Sequence, residues 1–297
     1  MKTPAIFRLH LIVFLWGFTA ILGKLISADA PNIVFYRMSF AAIFLYIFIR
    51  FIQKRSLQVP KVLFFQLIGI GGMMAIHWFC FFHAIKVSNV AIALCCLATS
   101  TLFASIMEPI VFKRKLDVSE VVIGVIILAC ISLIFKIEFQ YKVGIFYGIL
   151  AALFGTFFSV FNGKLYGKTT SGNIIFYEIF GGWALAAIFF TLSGQIFEVT
   201  EINYRDLALI TILAGVFTAY PMLESVSLMK YISPFTLILT VNLEPVYGII
   251  LAFFIFGESE KMTPIFYIAS MVMIVAIVIN GILKNRKAKK AKKLIEE

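Results

Sequence analysis

The chain has 297 residues, of which 62% are hydrophobic and 14% charged, and its mean hydropathy is +1.01. A soluble domain is nearer half apolar and a quarter charged, so the composition excludes a secreted disulfide scaffold, a disordered chain and a soluble nucleic-acid binder. The net charge of +11 suggests a nucleic-acid partner only until the positions are read: Lys and Arg cluster in short loops and in the tail Lys284–Lys293, the pattern that orients a membrane protein.

Apolar runs between polar breaks predict ten membrane-spanning helices. The first, 9–27, follows Lys2 and Arg8 and looks like a signal peptide ending in Ala28-Asp29-Ala30. Cleavage there would leave Pro31 at the new N-terminus, so an uncleaved first span is expected. It carries Trp16. The second, 33–52, carries Arg37, and the third, 62–84, carries His77, Trp78 and His83. The fourth (89–112) contains Cys95, Cys96 and Glu108, and the fifth is 119–136. The sixth is 143–162, the seventh (173–193) holds Glu178, and the eighth (207–228) holds Tyr220 and Glu224. The ninth (234–256) holds Asn242 and Glu244-Pro245, and the tenth (264–283) leads into the basic tail, expected to lie on anionic lipid headgroups. Pro31, Pro60, Gly172, Pro234 and Pro264 fall at the breaks, where helix starts tolerate them. Cys80, Cys95, Cys96 and Cys130 lie in apolar runs without a CxxC and read as buried free thiols.

With the N-terminus inside, 19 Lys and Arg residues fall on the cytoplasmic side and 5 on the outer side. That asymmetry predicts both termini in the cytoplasm of a multi-pass protein of the cell (inner) membrane.

The chain also repeats. Asn32-Ile-Val-Phe-Tyr-Arg37 recurs as Asn173-Ile-Ile-Phe-Tyr-Glu178, and the surroundings of Lys86 recur around Lys230. Each unit holds five spans, an odd number, so the second must enter the membrane inverted. The charges agree: Lys113-Arg114-Lys115 corresponds to Gly257-Glu258-Ser259. The expected architecture is an all-α integral membrane protein of ten helices in two inverted five-helix repeats, 1–140 and 141–283, with a tail at 284–297. Inverted repeats of this kind mark secondary transporters whose substrate site lies near mid-membrane between the halves.

Leu15-Trp16-Gly17-Phe18, Phe35-Tyr36-Arg37, Ala84-Ile85-Lys86-Val87-Ser88 and Leu243-Glu244-Pro245-Val246 followed by Phe256-Gly257-Glu258 resemble the EamA-type family of the drug/metabolite transporter superfamily over roughly residues 9–283. The first unit departs from the pattern, reading Ser100-Thr101 where the second has Glu244-Pro245. The resemblance implies a two-repeat carrier in a prokaryotic cell membrane that moves amino acids, other metabolites or drugs, commonly outward. It implies no enzyme activity and no cofactor.

Ionisable residues inside a bilayer are costly and therefore functional candidates. Glu244, near the middle of its span beside a proline, is the first choice: it could bind a substrate ammonium or, because desolvation disfavours its charge, take up a proton. Asn242 is two positions away, about 200° around a straight helix, so only a kink at Pro245 would bring both to one cavity. His77, Trp78 and Tyr220 could line an aromatic pocket, with Trp16 lining and packing at once. His77 and His83 lie about 120° apart around a helix and form no metal pair. Arg37, Glu178 and Glu224 read as gate or structural charges, with Asp29, Lys164 and Lys230 as expected partners. Glu108 reads as an interfacial charge beside the basic loop. Gly144/Gly148 and Gly163/Gly167 match GxxxG and suggest internal packing.

These features point to a carrier with alternating access. No GxSxG, paired-His motif or ATP-binding loop is present in the sequence. A lipid flippase is the alternative, and a membrane-embedded enzyme a weaker one. With no Lys or Arg apparent opposite Glu244, the expected substrate is a small zwitterion or amphipathic cation, with protons as a candidate coupling ion, lipid as the surrounding partner and a monomer favoured.

Overall fold

The structure, a computed structural model, describes residues 3–194, 202–232, 237, 240–241 and 243–296. The described residues contain helices and no strand. In chain order these are α1 (Thr3–Leu25), α2 (Ala30–Ile47, continued by a π turn to Ile52), α3 (Lys61–Val87), α4 (Val90–Leu97), α5 (Ser100–Phe112), α6 (Val118–Ile137), α7 (Lys142–Leu165) and α8 (Ser171–Leu192). Then come α9 (Tyr204–Ala214), a π turn (Gly215–Ala219), α10 (Tyr220–Leu228), α11 (Glu244–Phe256) and α12 (Pro264–Glu296). Seven continuous or nearly continuous helical runs are long and apolar enough to cross a membrane, and Val121–Ile137 and Pro264–Ile279 are shorter apolar helices. Phe7, Ile52, Phe65, Ile110, Leu192 and Phe254 stand exposed on the outside of the bundle, where a bilayer would cover them. The chain is a multi-pass membrane protein.

The sequence repeats occupy equivalent structural positions. Asp29 caps α2 by accepting from the Asn32 N–H at 3.0 Å, and Thr170, at the same repeat position, caps α8 by accepting from the Asn173 N–H at 3.2 Å. The fourth span, expected as one helix, is two: α4 ends at Leu97 and α5 begins at Ser100. Its counterpart α11 begins at Glu244, with Leu243 as its cap and Pro245 in the first turn, where a proline removes no internal hydrogen bond. Ser100 and Glu244 therefore both open a half-helix, and they differ by the repeat offset.

The packing also exchanges between units. α1 lies along α11 as α7 lies along α4 and α5; α2 contacts α9 as α8 contacts α3; α1 contacts α10 as α7 contacts α3; α6 pairs with α12. Small residues allow the closest approaches. Gly148 of α7 meets Cys96, whose Cβ would lie 2.7 Å from an added methyl group, so Gly144/Gly148 is an internal packing stripe. Gly167, in contrast, sits in a loop at φ +86° with open space around it. All four cysteines are buried and free.

The loop charges predict that the end of the bundle where α1 leaves and α2 begins faces outward. Three carboxylates tie it together. Asp206 accepts from the Ser27 N–H (3.0 Å), the Ser27 hydroxyl (2.6 Å) and the Ala28 N–H (2.8 Å). Glu138 accepts from the Thr263 hydroxyl at 2.6 Å. Glu260 accepts from Lys24 Nζ (2.6 Å) and from the N–H groups of Val90 (3.2 Å) and Ala91 (3.0 Å) at the start of α4. Lys86 donates to the Ile26 carbonyl. At the other end Arg8 pairs with Glu224, and Arg114 with Glu108 at 3.1 Å.

Candidate functional site

A cavity of ≈ 120 Å³ lies at the centre, where α1, α2, α3, α7, α10 and the breaks before α5 and α11 converge. Its wall includes five of the residues singled out from sequence: Trp16, Arg37, His77, Trp78 and Glu244. It runs from mid-bundle toward the inner end, where Asn162 and Met229 border it.

Arg37 has the most elaborate setting. It is 1% exposed and among the largest fully buried side chains. Its Nε donates to Thr218 Oγ1 at 2.6 Å, and its guanidinium lies 3.8 Å from the Trp78 ring centroid. Thr218 sits in the π turn of the eighth span and itself donates to the Leu213 carbonyl at 2.7 Å, so the extra residue of that turn aims its hydroxyl oxygen at Arg37. Arg37 Nη1 is buried without a hydrogen-bond partner among the described residues. Asp29, the expected partner, instead caps α2.

Glu244 is buried and lines the same cavity as Arg37. The expectation that no cation stands opposite Glu244 is therefore corrected. It came from comparing depth along single helices, whereas helix packing brings α2 and α11 to one cavity.

His77 Nδ1 donates to the Ala151 carbonyl at 2.7 Å, which fixes the tautomer and leaves Nε2 without a hydrogen-bond partner among the described residues. The ring stacks on Phe81 at 6.3 Å and meets Phe158 edge-on at 5.5 Å. Gly155 makes room for it, since a Cβ there would fall 2.9 Å from Nδ1. Trp16 both lines the cavity and packs in the core, next to Gly17 where α1 crosses α11.

The other candidates lie apart. Tyr220 is 45% exposed and borders a separate inner pocket with Glu224, Arg55 and Ser171. Asn242 lies outside the described residues. Glu224 takes Arg8 rather than Lys230, which is exposed at the inner end. Glu178 is fully buried and accepts from Asn162 Nδ2 at 3.0 Å rather than pairing with Lys164. Asn162 and Lys164 are about 200° apart on α7, so one faces inward while the other reaches the surface. Glu108 meets the basic loop through Arg114, as its position suggested.

Sequence reasoning passed over Thr19, Ser100, Ser159, Asn162 and Ser225, which supply polar groups to the cavity. A hydroxyl or amide on an apolar helix has no distinct signature. Ser100 alone had one, its repeat correspondence to Glu244.

The family profile described as EamA-like transporter family matches residues 3–136 and again 142–282, nearly the whole chain in two copies. One solved structure, described only as a crystal structure of a protein, superposes with a TM-score of 0.68 at 15% identity, covering 95% of this chain and 99% of its own, a likeness of fold alone. Comparison with curated proteins finds no match. Two copies of one transporter profile, laid on a helical bundle around a central cavity, identify the chain as a member of the EamA-like transporter family.

Proposed function

We propose that the protein is a secondary transporter of small zwitterionic metabolites of the amino-acid class, working outward by alternating access between two inverted repeats. One observation carries the reading: a guanidinium and a carboxylate, Arg37 and Glu244, border a single small cavity whose other walls are aromatic and hydroxyl-bearing. A zwitterion presents its carboxylate to Arg37 and its ammonium to Glu244, satisfying both at once. An amphipathic cation would leave Arg37 opposed, and a multiply charged phosphate would meet Glu244 as a like charge.

The exchange of packing partners between units, the paired breaks at Ser100 and Glu244, and the loop-charge reversal support inversion of the second repeat. The charge asymmetry supports cytoplasmic termini and a cell-membrane location. On that topology the carboxylate ties close the outer end, and the cavity borders the inner side. A proton gradient is the proposed energy source.

The test is counterflow into proteoliposomes preloaded in turn with neutral amino acids, polyamines and cationic drugs. Amino acids should support uptake of their labelled forms, and R37A and E244A should each abolish it. Counterflow with polyamines or cationic drugs alone would reject the zwitterion class.

A further inference from the structure

We propose that Glu178 is the proton-binding site of the carrier and that Asn162 links it to the cavity. The inference rests on the reading of the chain as a proton-coupled carrier, and it moves the coupling group from the cavity wall to the layer behind it.

Glu178 is 0% exposed and does not border the cavity. Around it α3 and α8 touch backbone to backbone: a Cβ on Gly71 would lie 2.8 Å from the Glu178 carbonyl carbon, so no side chain and no water separates the helices there. Among the described residues no cation pairs with the carboxyl. Of the charged and titratable groups on the elements packed against α8, Arg37 is held by Thr218 and Trp78, and His77 by Ala151. Glu224 is taken by Arg8, while Arg50 and Lys164 are exposed at the inner side. A buried, unpaired carboxylate is strongly disfavoured, whereas a neutral carboxylic acid is not.

The hydrogen-bond pattern calls for the same proton. Asn162 Nδ2 donates to Glu178 Oε2 at 3.0 Å. The remaining oxygens of the two groups, Glu178 Oε1 and Asn162 Oδ1, are both buried and both without a donor among the described residues. Two acceptors on one bonded pair lack a single hydrogen. A proton on Oε1 turns that oxygen into a donor and completes a two-bond acid–amide pair. Hydronium at the cavity side gives up that proton to Oε1 and leaves water; release reverses the step.

Asn162 makes the site communicate, because it borders the cavity while holding Glu178. In the conformation described here the pair is closed and retains the proton. Losing it requires α7 and α8 to part so that water reaches the carboxylate. Proton release is thereby tied to a change of conformation at the repeat that carries both residues.

The test is pH-difference infrared spectroscopy of the full-length protein in liposomes, with transport measured on the same preparations. The wild type should show a protonated-carboxyl C=O band that E178Q removes and N162A shifts. Gln at 178 supplies the missing donor to Asn162, so E178Q should remain folded. It should keep counterflow of an equimolar mixture of the twenty radiolabelled amino acids within twofold and lose at least tenfold of the accumulation driven by a pH gradient. A spectrum unchanged in both E178Q and N162A, or full gradient-driven accumulation by E178Q, would overturn the proposal. A wild type that transports none of the mixture would reject the zwitterion reading, while the infrared bands would still decide the proton on Glu178.

Discussion

Glu260 offers the sharpest perturbation of the proposed closure at the outer end. Its carboxylate, in a residue 2% exposed, holds Lys24 of α1 at 2.6 Å and two N–H groups of α4 at 3.2 and 3.0 Å, so one side chain joins the loop before α12 to two helices of the first repeat. Hydrogen bonds to a charged group contribute about 1.5–3 kcal/mol each, and they share one carboxylate, so about 3 kcal/mol in total is a conservative figure. The E260A substitution removes that amount from the outward-closed state and leaves the α4 N–H groups without an acceptor. If water repairs those groups once the end opens, the equilibrium shifts toward outward-open by about a hundredfold, at about 1.4 kcal/mol per tenfold. K24A should act far more weakly: Lys24 is partly exposed, and Glu260 keeps its helix N-terminus, so about 1 kcal/mol or less is expected. The assay is labelling of T19C, a cavity position, by a membrane-impermeant thiol reagent added outside. The four natural cysteines are buried, so background labelling should be low. Outside labelling should be slow in the otherwise native protein, faster by about two orders of magnitude with E260A, and little changed with K24A. Equal labelling rates with and without E260A would refute the idea that this carboxylate closes the outer end.

Three further substitutions test the site and its frame. R37K keeps the charge but loses the planar face over Trp78 and the Nε bond to Thr218, so the apparent substrate affinity in counterflow should fall by about tenfold or more. G181A places a methyl group 2.6 Å from the Ile68 carbonyl oxygen and 2.7 Å from its Cα, which should cost about 1–3 kcal/mol and lower the thermal unfolding midpoint in detergent. G69A meets nothing within 4 Å and should leave that midpoint unchanged or raise it.

The helices were legible because lipid imposes a simple rule: long apolar runs broken by charge and proline. The break between Leu97 and Ser100 was not legible, since Ala98-Thr99 carries neither proline nor glycine. Its signal lay 144 positions away, at Glu244-Pro245. Ion partners were misassigned for a similar reason. Asp29, Lys164 and Lys230 are near Arg37, Glu178 and Glu224 in sequence, yet the partners found, Thr218, Asn162 and Arg8, are chosen by which faces meet in the bundle. Arg37 and Glu244, separated by most of the chain, share a cavity that no single-helix reading reveals. The π turn at Gly215–Ala219, which aims Thr218, is likewise set by packing rather than by a local motif.

Arg37 and Glu244 are proposed to grip the two ends of one zwitterion. The most direct measurement is counterflow of a neutral amino acid competed by its amide and its deaminated acid. Wild-type uptake should be blocked by the intact amino acid and not by either one-ended analogue, while R37A and E244A should each lose uptake. Equal inhibition by the amide and the amino acid, with R37A transporting normally, would contradict the account.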